Sequence, residues 1–170
     1  MNGRLREWQA PRAAMVDLEL EPPKAALKGI AERYGLDLIV LFGSHATGQA
    51  RQTSDVDVAV RVTGGDRKRS IAGRPCDVLE WEGRLVNDLS DALHAAENLD
   101  LTMLNHASPL LRYQVARNGR PLYQAEPTTF TDFWLLALKS WRESQPRYEA
   151  RGVWLQERIA GWVIDAEVRP

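Results

Sequence analysis

The sequence is short of most features that would mark a specialised class. It has a single cysteine, Cys76, in 170 residues, so no internal disulfide can form and nothing points to an oxidising compartment. No apolar run approaches the roughly 20 residues that a membrane-crossing helix needs. The opening Met1-Asn2-Gly3-Arg4-Leu5-Arg6-Glu7-Trp8 lacks the apolar centre of a signal peptide. Charge of one sign is missing too: 22 Lys+Arg stand against 23 Asp+Glu, a formal net charge of -1. That balance argues against a protein that draws its affinity from coating a phosphate backbone with cations. The expectation is a soluble cytoplasmic protein with no membrane contact and no direct nucleic-acid partner. What is present suffices for one packed domain and an appended element, since 44% of the residues are hydrophobic. Six tryptophans stand out, four of them (Trp134, Trp141, Trp154 and Trp162) in the last quarter.

There is no internal repeat and no low-complexity tract, and Pro and Gly punctuate the chain into short pieces. Residues 1–21 read as a weakly specified arm. After Pro22-Pro23, the positions Leu27, Ile30, Ala31 and Tyr34 follow helical spacing, and Gly35 supplies a stop. Leu36 to Phe42 reads as a strand buried on both faces. Ser54 to Val60 alternates strictly and reads as a second strand, with three valines on one face. Residues 61 to 76 look like a flexible loop, and Cys76 to Trp81 like a further short strand. Helical spacing returns from Leu85 to Ala96, and strand character from Leu99 to Leu104. Ser108-Pro109 opens another helix that Asn118-Gly119 closes, and Pro121-Leu122-Tyr123 follows. The alternation of elements implies an α+β layered domain, a mixed sheet with helices packed against it, over residues 22–125. Residues 126–170 read as a helical C-terminal extension, interrupted near Pro146.

One constellation carries chemistry: Gly43-Ser44, ten intervening residues, then Asp55-Val56-Asp57. On an extended strand, residues two apart share a face about 6.6 Å from each other, so Asp55 and Asp57 would present adjacent carboxylates. Two such groups repel and are costly to desolvate unless a cation joins them. Mg²⁺ suits the pair, because it takes one or two protein carboxylates and leaves its other positions to water and substrate phosphates. Gly43 lets main-chain N–H groups approach a phosphate, and the Ser44 hydroxyl adds a donor. Together they describe a nucleoside triphosphate site.

Phe42-Gly43-Ser44 followed by Ser54-Asp55-Val56-Asp57 resembles the signature of the DNA polymerase β-like nucleotidyltransferase superfamily. Leu99-Asp100-Leu101-Thr102-Met103-Leu104-Asn105, with Ser108-Pro109-Leu110-Leu111-Arg112 and Gly119-Arg120-Pro121-Leu122-Tyr123, is similar to the minimal nucleotidyltransferase (MNT) group, the antitoxin halves of HEPN/MNT toxin–antitoxin pairs. The resemblance spans roughly residues 25 to 125. It implies that Gly43 and Ser44 hold the triphosphate and that Asp55 and Asp57 bind two Mg²⁺ ions, with a third carboxylate completing a two-metal site. Asp100 is the favoured third carboxylate and Asp77 the competitor, which the sequence leaves open. The implied activity is protein adenylyltransfer, AMP from ATP to a tyrosine of a cognate HEPN ribonuclease toxin, with the two proteins forming a hetero-oligomer. Two alternatives stand beside it: a nucleotidyltransferase acting on a small molecule such as an aminoglycoside, and an antitoxin that neutralises by binding alone.

Other polar residues have plainer readings. His45, His94 and His106 lack metal-ligand spacing with the cysteine and are not expected to take part in the chemistry. Cys76 reads as a structural thiol. Arg51 reads either as a triphosphate contact or as a solvated loop residue, and the cluster Arg67-Lys68-Arg69 as a solvated loop, with a contact to nucleic acid or an acidic partner as the alternative. Trp134 and Trp141, seven residues apart, and Trp154 and Trp162, eight apart, could each line one helix face. They would serve either core packing or a partner surface.

Overall fold

The computed structural model describes residues 24–51, 53–64, 70–71, 74–75, 77–95 and 98–167, with the backbone alone for residues 70–71, 74–75 and 152–167. The arm at 1–21, the Arg67-Lys68-Arg69 cluster, Cys76 and the side chains of Trp154 and Trp162 lie outside the described residues.

Helix α1 (Lys24–Tyr34) buries the four positions its spacing nominates, Leu27, Ile30, Ala31 and Tyr34. It delivers the chain into β1 (Leu36–Leu41), of which only Asp37 is not buried. Strand β1 is central: it pairs antiparallel with β2 (Val56–Val62) on one side and with β6 (Arg120–Gln124) on the other. Strand β5 (Leu99–Met103) joins the outer side of β2 in parallel, which gives the order β5-β2-β1-β6. The short strands β3 (Ser70–Ile71) and β4 (Arg74–Pro75) form a separate ribbon within the stretch expected to be a loop.

Both faces of the four-stranded sheet are covered, so the β1 and β2 sequences are almost wholly apolar. On one face Ile39, Leu41, Val56, Val58 and Val60 pack against α1 and α3 (Val78–Leu93), which contributes Trp81, Leu85 and Leu89. On the other, Leu38, Val40 and Ala59 pack against Val115 and Ala116 of α4 (Pro109–Asn118) and Phe133 and Ala137 of α5 (Thr129–Glu167). Alternation along β2 therefore assigns Asp57, Ala59 and Arg61 to the α4/α5 face.

Two expectations are corrected. Cys76 to Trp81 is not a strand: helix α3 begins at Val78, seven residues before the expected start, with Asp77 as its cap. The Asp77 carboxylate accepts from the Glu80 amide at 2.8 Å, the pairing of an N-cap Asp with an acidic residue three positions on. The indole of Trp81, expected at the end of that strand, is instead fully buried from α3 and meets Tyr34 edge to face at 5.7 Å between ring centroids. Second, Pro146 does not interrupt α5, which runs through it as one helix. The Arg142 carbonyl, which loses its amide partner to the proline, belongs to an exposed residue, where water can take up the bond. Gly119 closes α4 as its position in the sequence implies, at φ -80 and so without left-handed geometry. A Cβ there would lie 2.6 Å from Val40 Cγ1 and overlap the Val115 carbonyl, so glycine is required by the close approach of α4 to β1.

Of the tail tryptophans, Trp134 packs at the edge of the second core cluster and Trp141 stacks on Tyr113 of α4, centroids 5.6 Å apart and planes 12° from parallel. These two fasten α5 to the domain.

Candidate active site

The site is built where β1 hands over to β2. Phe42, the residue after β1, donates its amide to the Asp57 carbonyl at 2.9 Å, continuing the pairing one step beyond the strand. Gly43 then turns with φ +67, a conformation that costs any other residue, and opens the one-turn helix α2 (Gly43–Thr47). Space decides the residue type here as much as angle does. A Cβ on Gly43 would overlap the Asp57 carboxylate and lie 2.8 Å from its Cγ. The Gly43 backbone and the Asp57 side chain thus sit in direct contact.

Asp57 stands opposite Asp100 in the parallel ladder of β2 and β5. Ladder partners on neighbouring strands are about 4.8 Å apart and project to the same face, so the two carboxylates are side by side. Asp57 is half-buried and Asp100 exposed. Burial pushes the Asp57 carboxyl above its ordinary value, the negative charges of Asp100 and Asp55 push it further, and His45 partly offsets them. Asp55 is also exposed, but β2 begins only at Val56, so it stands just before the strand and not on it as the alternation suggested. Its flanks are fixed instead: Val56 donates to the Asn98 carbonyl at 2.7 Å, and the Ser54 carbonyl lies 3.1 Å from His45 Nε2. Asp77, capping α3 on the other side of the sheet, is engaged elsewhere.

Among the described residues no three His, Cys, Asp or Glu side chains form a closed ligand set. The donor chemistry nonetheless fits a hard divalent cation that brings its own waters and phosphate oxygens. Two acidic side chains in ladder register, one of them destabilised as an anion by burial and then by the other, beside a backbone with no side chain in the way, leave a charge that His45 offsets only in part and that a cation would relieve. The opposite end of the same face shows what a compensated arrangement looks like. A cavity of about 250 Å³ there is lined in part by Arg61 and Arg112. Arg61 is clamped to Asp37 at 2.8 and 3.1 Å, and Arg112 to the Leu104 and Asn105 carbonyls at 2.9 and 2.6 Å.

The sequence profile of the polymerase beta nucleotidyltransferase family matches residues 26–128. The chain belongs to this family. As a nucleotidyltransferase it is similar to the protein adenylyltransferase MntA of Aphanizomenon flos-aquae, with 33% identity over 98 residues covering 58% of this chain and 63% of that protein. It is also similar to MntA of Shewanella oneidensis, 36% identical over 88 residues, 52% of this chain and 54% of that one. The matches thus span less than two thirds of the length of these curated relatives. Among solved structures, a toxin–antitoxin complex with AMP-PNP aligns at a TM-score of 0.60 and 23% identity, covering 78% of this nucleotidyltransferase and 98% of that chain. A complex of tri-AMPylated Shewanella oneidensis HEPN toxin with MNT antitoxin aligns at 0.55 and 21%, covering 78% and 95%. At these identities the likeness is one of fold, and it includes the mixed sheet with its flanking helices.

Sequence reasoning set His45 aside. Nothing in its spacing marks it, because its contact reaches nine positions along the chain onto a main-chain carbonyl.

Proposed function

We propose that the chain is a Mg²⁺-dependent protein adenylyltransferase that transfers AMP from ATP to a tyrosine hydroxyl of a cognate HEPN ribonuclease toxin, and so acts as an antitoxin. The observation that carries the reading is the ladder pairing of Asp57 with Asp100 directly beneath the side-chain-free Gly43. The family membership, the names of the two adenylyltransferase relatives and the toxin–antitoxin character of the structural neighbours support it.

In this reading Asp55, Asp57 and Asp100 hold two Mg²⁺ ions, which when bound neutralise phosphate charge and make the acceptor hydroxyl easier to ionise. Gly43 and Ser44 hold the triphosphate, the first by exposing main-chain donors and the second through its hydroxyl. The acceptor oxygen forms a bond to the α-phosphorus as the bond to the bridging oxygen breaks in line, and pyrophosphate leaves. A tyrosine hydroxyl has a reference pKa of about 10 and is almost wholly protonated at neutral pH. Asp100, the exposed member of the ladder pair, is the group to take up its proton.

The test is transfer of label from ATP marked at the α-phosphate to the proposed cognate HEPN toxin, with Asp57→Ala and Asp100→Ala as variants. Label is expected on the toxin with the wild-type chain and not with either variant, while circular dichroism shows both variants folded. Undiminished labelling by folded Asp57→Ala would overturn the mechanism, and labelling of a small molecule in place of the protein would overturn the acceptor.

A further inference from the structure

We infer that His45 is a positioning residue that ties the Gly43–Ser44 turn to the backbone beside Asp55 and so sets where that carboxylate stands. The inference rests on the reading of the site given above.

The three carboxylates are not held in the same way. Asp57 and Asp100 belong to the ladder between β2 and β5, and their positions follow from the sheet. Asp55 precedes β2 and has no ladder partner among the described residues. Its position is set by its two neighbours. On the C-terminal side Val56 is bound to Asn98, which leads into β5. On the N-terminal side Ser54 is drawn into a tight turn, its amide donating to the Arg51 carbonyl and its hydroxyl accepting from the Arg51 amide, each at 2.9 Å. That turn is closed on itself and by itself fixes nothing relative to α2. The connection is His45, whose Nε2 reaches the Ser54 carbonyl at 3.1 Å. Among the described residues no other side chain of α2 makes a hydrogen bond to this turn; Thr47 bonds back within its own helix.

A carbonyl oxygen only accepts, so Nε2 must carry the hydrogen. Both the neutral Nε2–H tautomer and the imidazolium satisfy this, and the tie needs a donor and not a charge. Glutamine places an amide N–H₂ at a comparable reach and is the conservative substitute. Alanine removes the donor.

Three readouts on the full chain test the inference. In metal-free protein, His45→Ala is expected to speed amide hydrogen exchange at residues 53–56 roughly fivefold to tenfold, the loss of one neutral hydrogen bond, with His45→Gln close to wild type. Mn²⁺ binding followed by electron paramagnetic resonance is expected to weaken by a similar factor in the alanine variant and to recover with glutamine. In AMP transfer, kcat is expected to fall in His45→Ala with the KM for ATP nearly unchanged, and again to recover with glutamine. The inference is overturned if alanine leaves exchange and Mn²⁺ affinity unaltered, if glutamine fails to restore them, or if the KM for ATP rises at constant kcat, which would make His45 a triphosphate contact. A wild-type chain that transfers no AMP would bring down the catalytic reading, while the exchange and Mn²⁺ measurements would still decide the role of His45.

Discussion

Replacing Gly43 by alanine tests the contact on which the site is built. The substitution carries two costs. The first is conformational: at φ +67 an L side chain is disfavoured by about 1–2 kcal/mol. The second is steric, because the new Cβ overlaps one oxygen of Asp57 and lies 2.8 Å from its Cγ and 3.2 Å from its Cβ. Relieving such an overlap costs about 1–3 kcal/mol in a packed environment. Gly43→Ala should therefore destabilise the metal-free protein by roughly 2–5 kcal/mol. The steric part belongs to the pair of residues and the conformational part to position 43 alone, so a double-mutant cycle separates them. In an Asp57→Ala background the offending carboxylate is gone, and Gly43→Ala should cost only about 1–2 kcal/mol. Urea unfolding of the four proteins in EDTA measures the difference, an expected coupling of about 1–3 kcal/mol. An equal cost of Gly43→Ala in both backgrounds would refute the argument that Gly43 is glycine to make room for the Asp57 carboxylate.

Further outcomes follow from the same structure. Because the folded state raises the Asp57 carboxyl above its ordinary value, its ionisation weakens folding as pH climbs through and beyond the ordinary range near 3.8. Asp57→Asn should thus be more stable than wild type at neutral pH without metal, with the advantage vanishing below about pH 3.8 in thermal melts and reversing when Mg²⁺ and ATP are added. Asp77→Ala should lose about 1 kcal/mol of stability in urea titration, as for a lost helix cap, and keep its AMP-transfer rate per folded molecule; a dead but folded Asp77→Ala would return Asp77 to the list of catalytic carboxylates. Tyr34, buried and donating to Asp88 at 2.7 Å, has its hydroxyl pushed up to about 12. Its contribution to stability is complete below pH 10 and lost as pH rises from 10 to about 12, so wild type should fall more steeply than Tyr34→Phe across that window.

What could be read in advance was what is local in sequence. Gly43-Ser44 and Asp55-Val56-Asp57 are fixed spacings, the run Leu38–Phe42 declares a buried strand by composition, and Ser54–Val60 declares a strand by alternation. The partnership of Asp57 with Asp100 depends on β5 pairing in parallel with β2, a long-range outcome that no window of sequence contains. Asp77 was ambiguous because Cys76 to Trp81 reads as a short strand, while its acceptance from the Glu80 amide shows only once α3 is seen to start there. Pro146 was read as a helix breaker and fell in an exposed stretch of α5. His45 was invisible because its partner is a backbone carbonyl, which has no residue identity to recognise.

The pairing of the Phe42 amide with the Asp57 carbonyl makes assembly of the site part of the folding of the sheet. That bond, the Gly43 contact and the Asp100 register are all made on the sheet, so the backbones at Asp57 and Asp100 part only when β5 leaves β2. Asp55 belongs to a loop and can move at far lower cost. Two of the three carboxylates thus stand on backbone held in the sheet ladder, and backbone adjustment of the cluster to what it binds or releases falls first on the third.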